Sequence, residues 1–376
     1  MCSRFEPSST AKSAGSLPAR AASARVRLSR PPRRPPRRPT RRPRAPLPPG
    51  CDPASIILTF PVAPEHAGQR LDRFIQHRIP RLSRTRAQEV VKACAYRADG
   101  TRRRASERVR TGELVVLVRP PFDEPDVPLF FDILYEDDAV LAVNKPAGLP
   151  VHPSASYHKN TLTHLLKQRF GENAPQIAHR LDRETSGLLV CGRTRASERT
   201  MKIAFEKRRV RKRYLAIVRG VMPDDEGRIA LPMDRAKEGL HILMEVTPQG
   251  EGYPSVTRYR VLARRDGATL VALAPESGRQ HQLRVHLGAI GFPILGDKLY
   301  GPEGSQPFLD YIETGMTDEL LMRLGHHRQA LHAYALELSH PSTGEATTLT
   351  APLPEDMVRL WGTPLAASTF ASAQAC

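Results

Sequence analysis

The chain is 376 residues long, 40% hydrophobic, and carries 57 Lys and Arg against 39 Asp and Glu, a formal charge of +18. That length suits two domains with a sizeable core, and no apolar run nears the ~18 residues of a membrane span. Its five cysteines are scattered, odd in number and without a C-x-x-C pair, which fits neither a disulfide framework nor a zinc cluster and suits a reducing cytoplasm.

The charge is unevenly placed. Residues 1–50 hold 13 Lys and Arg and a single acid, Glu6, so the rest of the chain is only mildly basic. One reading is a polyanionic partner, because phosphate neutralisation drives nucleic-acid binding. The other is a basic tail on an ordinary soluble protein. Within the tail, Arg30-Pro31-Pro32-Arg33-Arg34-Pro35-Pro36-Arg37-Arg38-Pro39 is too rich in proline for the amphipathic helix of a transit peptide. No apolar stretch follows its paired arginines, as an export signal would need. Residues 1–54 are expected to form a disordered Pro/Arg-rich tail in extended, polyproline-like form. Such a tail either adds nonspecific RNA affinity or is dispensable.

Order is expected from residues 55–62 onward. Leu71, Phe74 and Ile75 have helical spacing, and Ser83 is placed to cap a second helix over residues 84–92. A strand follows at Glu113-Leu114-Val115-Val116-Leu117-Val118. Residues 55–121 thus read as a small α+β module, locally basic through Arg70, Arg73, Arg84, Arg86, Arg102, Arg103 and Arg104. Residues 122–128 read as a linker. The second domain, residues 127–362, opens with a hairpin in which runs 131–135 and 139–143 flank the acidic turn Glu136-Asp137-Asp138. Strands are expected at 188–190, 214–218, 269–273 and 282–287, and helices at 161–169 and 196–207. The fold class is therefore α+β with a mixed, mainly antiparallel sheet. Residues 363–376 read as a frayed tail.

The densest polar stretch is His179-Arg180-Leu181-Asp182-Arg183-Glu184-Thr185-Ser186-Gly187, set between two apolar segments. Loops so placed often carry function. Cations flanking Asp182 favour an ionised carboxylate, which can act as nucleophile or base. A surface ion-pair loop accounts for the same residues. Read as a strand, residues 282–287 turn Leu283, Val285 and Leu287 to one face and Gln282, Arg284 and His286 to the other. On that reading His281 and His286 have opposite parity and cannot share a metal. Tyr214, in Lys212-Arg213-Tyr214, is an aromatic among bases, suited either to stacking on a nucleobase or to ordinary strand burial. Val143-Asn144-Lys145-Pro146-Ala147-Gly148 reads as a rigid turn.

Taken together these segments resemble the RluA family of RNA pseudouridine synthases, over about residues 127–360. His179-Arg180-Leu181-Asp182 with Thr185-Ser186-Gly187-Leu188-Leu189-Val190 resembles the family's signature loop. Asn144 to Gly148, Lys212 to Gly220, Gly278 to His286, Gly296-Asp297-Lys298-Leu299-Tyr300-Gly301 and Leu331-His332-Ala333 match further segments in the family's order. Gln280 stands where the family usually has threonine, and residues 302–330 look like an added loop-helix insertion. Residues 61–120 resemble an S4 RNA-binding module, at Arg70-Leu71-Asp72-Arg73-Phe74 and Ser83-Arg84-Thr85-Arg86.

The resemblance implies isomerisation of uridine to pseudouridine in RNA, with no cofactor and no metal. It makes Asp182 the essential carboxylate, acting at C1′ or on a sugar proton. Arg284 would pair with Asp182, Tyr214 would stack on the target base, and Arg180 would fill the space left by the flipped nucleotide. Arg70, Arg73, Arg84 and Arg86 would contact RNA. The implied protein is a cytoplasmic monomer acting on large-subunit ribosomal RNA, with transfer RNA as the alternative target. Two other classes compete: a noncatalytic S4-type ribosome- or RNA-binding protein, and a nucleotide hydrolase using Asp182. An intact Asp182, Tyr214 and Arg284 weigh against the first, and a basic module without a purpose weighs against the second.

Overall fold

The computed structural model describes residues 46–53, 55–80, 82–97, 99–120, 124–154 and 156–362, together with Thr369 and Ala373. Most of the expected basic tail, and nearly all of the expected C-terminal tail, lie outside the described residues. The chain divides into two compact units, residues 1–121 and 122–376.

In the first unit, β1 (Ile56–Pro61) is followed by α1 (Leu71–Arg78), α2 (Arg84–Cys94), β2 (Ala95–Tyr96) and β3 (Leu114–Arg119). The strands form a sheet in the order β1-β3-β2. Leu71, Phe74 and Ile75 recur at helical spacing on α1, and all three are buried with Val91, Val115 and Leu117. Ser83 caps α2 by accepting the Arg86 N–H. Asp72 is buried where the two helices meet. Its carboxylate takes the Arg70 guanidinium at 2.8 Å and the Gln88 amide at 3.0 Å.

The second unit begins with β4 (Asp132–Glu136) and β5 (Val140–Lys145). The acidic turn between them has a structural cause: Asp137 accepts the N–H groups of Ala139 and Val140 at 2.8 and 2.7 Å. There follow α3 (Leu162–Phe170), β6 (Gln176–Ile177), β7 (Ser186–Gly192), α4 (Arg195–Glu206), β8 (Arg211–Arg219), β9 (Glu226–Ala230), β10 (Met233–Arg235) and β11 (Met244–Val246). The chain then forms β12 (Val256–Arg265), β13 (Ala268–Pro275), α5 (Gln282–Ala289), α6 (Gln306–Thr314), α7 (Asp318–Leu324), β14 (Leu331–Ser339), β15 (Ala346–Thr350) and α8 (Glu355–Trp361). The main sheet runs β4-β5-β7-β14-β8-β13-β12-β9, with β15 joined to β14 and β6 to β7. Among the described residues its one parallel pairing is β7 with β14, where Ser186 meets His332 and Gly187 meets Ala333. The unit is thus α+β with a mainly antiparallel sheet. Every residue of β7 is buried, and β13 is buried along almost its whole length.

Two expectations change. Residues 282–287 form the body of helix α5, not a strand. Their alternation of apolar and polar residues suggests a half-buried strand, but Gln282, Leu283, Arg284, Val285, His286 and Leu287 are all buried. A helix enclosed on every side has no solvent face to impose its own period. Its polar side chains are satisfied internally: Gln282 bonds Ser277 and Thr257, and His286 bonds Thr257 and the Leu231 carbonyl. The presumed linker is also fastened from Glu124 onward. The Glu124 carboxylate accepts the N–H groups of His158, Lys159 and Asn160 at 2.9, 2.8 and 2.8 Å. The insertion at 302–330 contains helices α6 and α7.

Candidate active site

Asp182 lies in the loop between β6 and β7, and this loop is fastened on several sides. Beneath it, the wholly buried Lys145 ammonium donates to the carbonyls of Pro146, Leu149 and Arg183 at 2.8, 2.9 and 3.0 Å. Burial pushes this lysine down to about 7. Lys298 donates to both Glu184 carboxylate oxygens at 3.0 Å, and Gln329 donates to the Thr185 hydroxyl at 2.7 Å. Gly187 has φ +108°, and a Cβ there would lie 2.3 Å from the Ala333 carbonyl oxygen. Only glycine allows β14 to press this closely against the end of the loop. Arg183, expected to flank Asp182 as a cation, is turned away. It bonds the Tyr157 hydroxyl at 2.7 Å and the Glu184 carboxylate at 3.1 Å.

The cation beside Asp182 is Arg284, on α5. Its Nη1 lies 3.2 Å from Asp182 Oδ2. Its Nε and Nη2 are taken bidentately by Asp297 at 2.6 and 2.8 Å. Asp297 is buried and also accepts the N–H groups of Leu299 and Tyr300 at 2.9 and 3.2 Å. The two carboxylates hold the guanidinium strongly protonated despite its burial. The Arg284 guanidinium also lies over the Tyr300 ring, 5.0 Å from its centroid. Gly296, just before Asp297, has φ +77°, and a Cβ there would fall 1.8 Å from the Arg328 carbonyl oxygen. Asp182 therefore faces a cation locked in place from behind, while its own side chain keeps 23% of its surface exposed. His281 completes the surround, with Nε2 3.9 Å from Asp182 Oδ2 and Nδ1 2.7 Å from the Tyr300 hydroxyl.

Asp182, Arg284 and His281 line a cleft of about 540 Å³, together with Arg180, Lys212, Tyr214 and Arg279. Tyr214, on β8, is half-buried in the cleft wall, and burial with the nearby Asp182 raises its phenol. Arg180 is exposed at the cleft. Lys212 donates to the Ser277 carbonyl at 2.6 Å, and burial lowers it to about 8. The structure thus brings Asp182, Arg284, Tyr214 and Arg180 into one cleft. His281 lines it with them, while Asp297 backs Arg284 and Tyr300 backs His281; none of these three has a role assigned from the sequence. The sequence signal for Asp297 is its place in Gly296-Asp297-Lys298-Leu299-Tyr300-Gly301, a segment that matches the family without pointing to a role for the acid.

The four arginines expected to meet RNA belong to the first unit. Arg73 and Arg84 are exposed, Arg70 is half-buried against Asp72, and Arg86 pairs with Glu89 at 2.7 Å. Arg103 is buried between Glu107 and Glu113 and serves the core of that unit. Two surface grooves there carry Arg97, Arg102, Arg104, Arg108 and Arg110 in one case, and Arg70, Arg73 and Arg108 in the other.

Outside the cleft, ligand atoms of His326, His327 and Asp356 lie within 4.8 Å of one another. Arg328 already occupies both Asp356 oxygens at 2.5 and 2.9 Å, which disfavours a cation there. Among the described residues, no helix is long and apolar enough to cross a membrane.

Residues 139–289 match the family model described as RNA pseudouridylate synthase. A Xanthomonas campestris protein named ribosomal large subunit pseudouridine synthase D is 37% identical over 320 residues, covering 82% of this chain and 93% of that protein. A Bacillus subtilis protein named as an uncharacterized RNA pseudouridine synthase is 35% identical, covering 79% of this chain and 94% of its own. The solved structure of human RNA pseudouridylate synthase domain containing 1 superposes with a TM-score of 0.52 at 27% identity, covering 68% of this chain and 98% of that one. With its motifs in order, its sheet and helices matched and its sequence shared over nearly the whole length of these relatives, the chain belongs to the RluA family of RNA pseudouridine synthases, isomerases that act on RNA.

Proposed function

We propose that this enzyme converts specific uridines of large-subunit ribosomal RNA to pseudouridine in the cytoplasm, with Asp182 as the essential carboxylate. The observation that carries the site assignment is the line Asp182–Arg284–Asp297 at the edge of the cleft. A partly exposed carboxylate backed by an immobilised cation is preorganised to meet a sugar carbon. The C1′–N1 bond breaks, the uracil turns, and C5 bonds to C1′ while the proton from C5 is given up and N1 gains one. Uridine and pseudouridine have the same atoms, so neither oxidant nor reductant is consumed. Tyr214 supplies an aromatic face for the turning base. Arg180, exposed beside Asp182, fills the stack that the extruded nucleotide leaves, offsetting a flipping cost of a few kcal/mol.

The choice of ribosomal RNA is supported by relatives from Xanthomonas campestris and Haemophilus influenzae, both named ribosomal large subunit pseudouridine synthase D. The first unit serves as an S4-like RNA-binding module. Its exposed Arg73 and Arg84 and its arginine-lined grooves suit phosphate contact. The test is pseudouridine mapping in cellular RNA with and without the gene, complemented by wild type or Asp182→Asn. One or more ribosomal sites should vanish and return only with wild type. A complete ribosomal map without the gene would refute the target, and a site restored by Asp182→Asn would refute the residue.

A further inference from the structure

His281 has an unusual setting. It stands at the N-cap position of α5 in the left-handed region, at φ 55°, with its side chain bonded to no helix N–H. Only one other non-glycine among the described residues, Arg208, has positive φ. A side chain held in a sparsely populated conformation beside a reactive carboxylate is a candidate for function.

The hydrogen bonds favour one tautomer. The Tyr300 hydroxyl oxygen accepts the Met244 N–H at 3.0 Å, so its own proton is free to point to His281 Nδ1, 2.7 Å away. Burial pushes the Tyr300 phenol up to about 12, so it keeps that proton, and burial pushes His281 down to about 4, so the ring stays neutral. A neutral imidazole that accepts at Nδ1 must donate at Nε2. That N–H faces Asp182 Oδ2 across 3.9 Å, too far for a direct hydrogen bond. An oxygen about 2.8 Å from both atoms would close the gap, accepting from Nε2 and donating to the carboxylate.

A ribose 2′-hydroxyl does both, and it hangs on the carbon next to C1′. We infer that His281 recognises the 2′-hydroxyl of the target uridine, taking it as acceptor while that hydroxyl donates to Asp182, and so sets the carboxylate against the C1′–C2′ bond. The inference rests on Asp182 acting at the sugar, as proposed above. It makes this site a reader of ribose over deoxyribose, with Tyr300 as the positioning residue that sets the tautomer.

The experiment uses the full chain with a large-subunit ribosomal RNA transcript to locate the modified uridine. Oligoribonucleotides spanning it then carry either ribose or a single 2′-deoxyribose at the target. In single-turnover assays the deoxy substitution should slow wild type about tenfold, the size expected for one hydrogen bond at the reacting centre. His281→Leu should slow the ribose substrate by a similar factor, and the deoxy substitution should then cost less than about twofold more. His281→Gln, which keeps an amide N–H near the Nε2 position, should recover most of the rate. RNA affinity should stay unchanged throughout. Nitrogen-15 NMR of the free protein should show His281 protonated at Nε2, and Tyr300→Phe should weaken that preference. Additive losses in an active wild type, or a ring protonated at Nδ1, would overturn the inference alone. A wild type that forms no pseudouridine in the transcript would overturn the proposed function along with it.

Discussion

Replacing Asp297 by Asn tests the proposition that Arg284 is immobilised from behind. The carboxylate receives both Arg284 donors, at 2.6 and 2.8 Å, and two backbone N–H groups, at 2.9 and 3.2 Å. Asparagine keeps one acceptor for the backbone and presents an N–H group towards the guanidinium. One charge-assisted bond is then lost, worth about 1.5–3 kcal/mol, and a buried cation loses one of its two anions. The total should approach the roughly 3–5 kcal/mol of breaking a buried ion pair. Urea unfolding of wild type, Asp297→Asn, Arg284→Met and the double variant measures it. The double variant removes the charge together with its partner, so the coupling should reach about 2–3 kcal/mol. Freed from Asp297, Arg284 can swing wholly onto Asp182 and cover the face that the sugar needs. Single-turnover rates should therefore fall while RNA affinity holds. A stability loss below about 1 kcal/mol, or a cycle additive to within about 0.5 kcal/mol, would refute the reasoning.

Lys298→Met removes the ion pair with the Glu184 carboxylate but keeps an unbranched chain against the Tyr311 ring, where the ammonium lies 4.9 Å from the centroid. Because Glu184 keeps Arg183, the cost should be only about 1–2 kcal/mol, and an unchanged melting temperature would speak against the clamp. Burial holds His179, His281 and His332 down to about 3, about 4 and about 4. Between pH 6.5 and 4 the unfolded chain therefore binds protons that the folded chain refuses. Their contribution is full above pH 6.5 and drains away on acidification, by up to about 4 kcal/mol per pH unit near pH 5. Unfolding free energies that stay flat from pH 6.5 to 5 would contradict this, and His281→Gln should shallow the slope by about a third. Deleting residues 1–50, with their 13 Lys and Arg, should weaken RNA binding at low salt and flatten its salt dependence. An identical salt slope would make the tail irrelevant to binding.

Local signals carried much of the fold. The helices expected at 161–169 and 196–207 occur at Leu162–Phe170 and Arg195–Glu206, started by Thr161 and Thr194 as side-chain caps. The hairpin around Asp137 was legible because the carboxylate acts on residues two and three positions away. The errors arise where distant chain decides. Residues 282–287 alternate as a strand would, yet contacts from Thr257, Leu231 and Ser277 satisfy their polar groups within a buried helix. Arg180 and Arg183 both flank Asp182 in the sequence, but Arg183 is drawn off by Tyr157 and Glu184. Lys145 read as part of a rigid turn, because nothing local reveals that three carbonyls converge on its ammonium. The Asp182–Arg284 pairing followed from the family resemblance. Asp297 behind it did not, since a buried carboxylate is recognisable only once its guanidinium is in view.

The parallel meeting of β7 and β14 also bears on when, during its own synthesis, this protein becomes an enzyme. Lys145 and the Gly148 N–H both reach the Arg183 carbonyl early, but Gln329 and His332 grip Thr185 and Ser186 across 144 and 146 residues of chain. Contacts between such distant stretches form late in folding. A nascent polypeptide that has emerged only as far as α6 already displays the whole loop, Asp182 included, without the strand that braces it. Bracing of the loop therefore waits until β14 has been made. A fragment that ends before Gln329 would hold the recognisable signature without the contacts that brace Thr185 and Ser186.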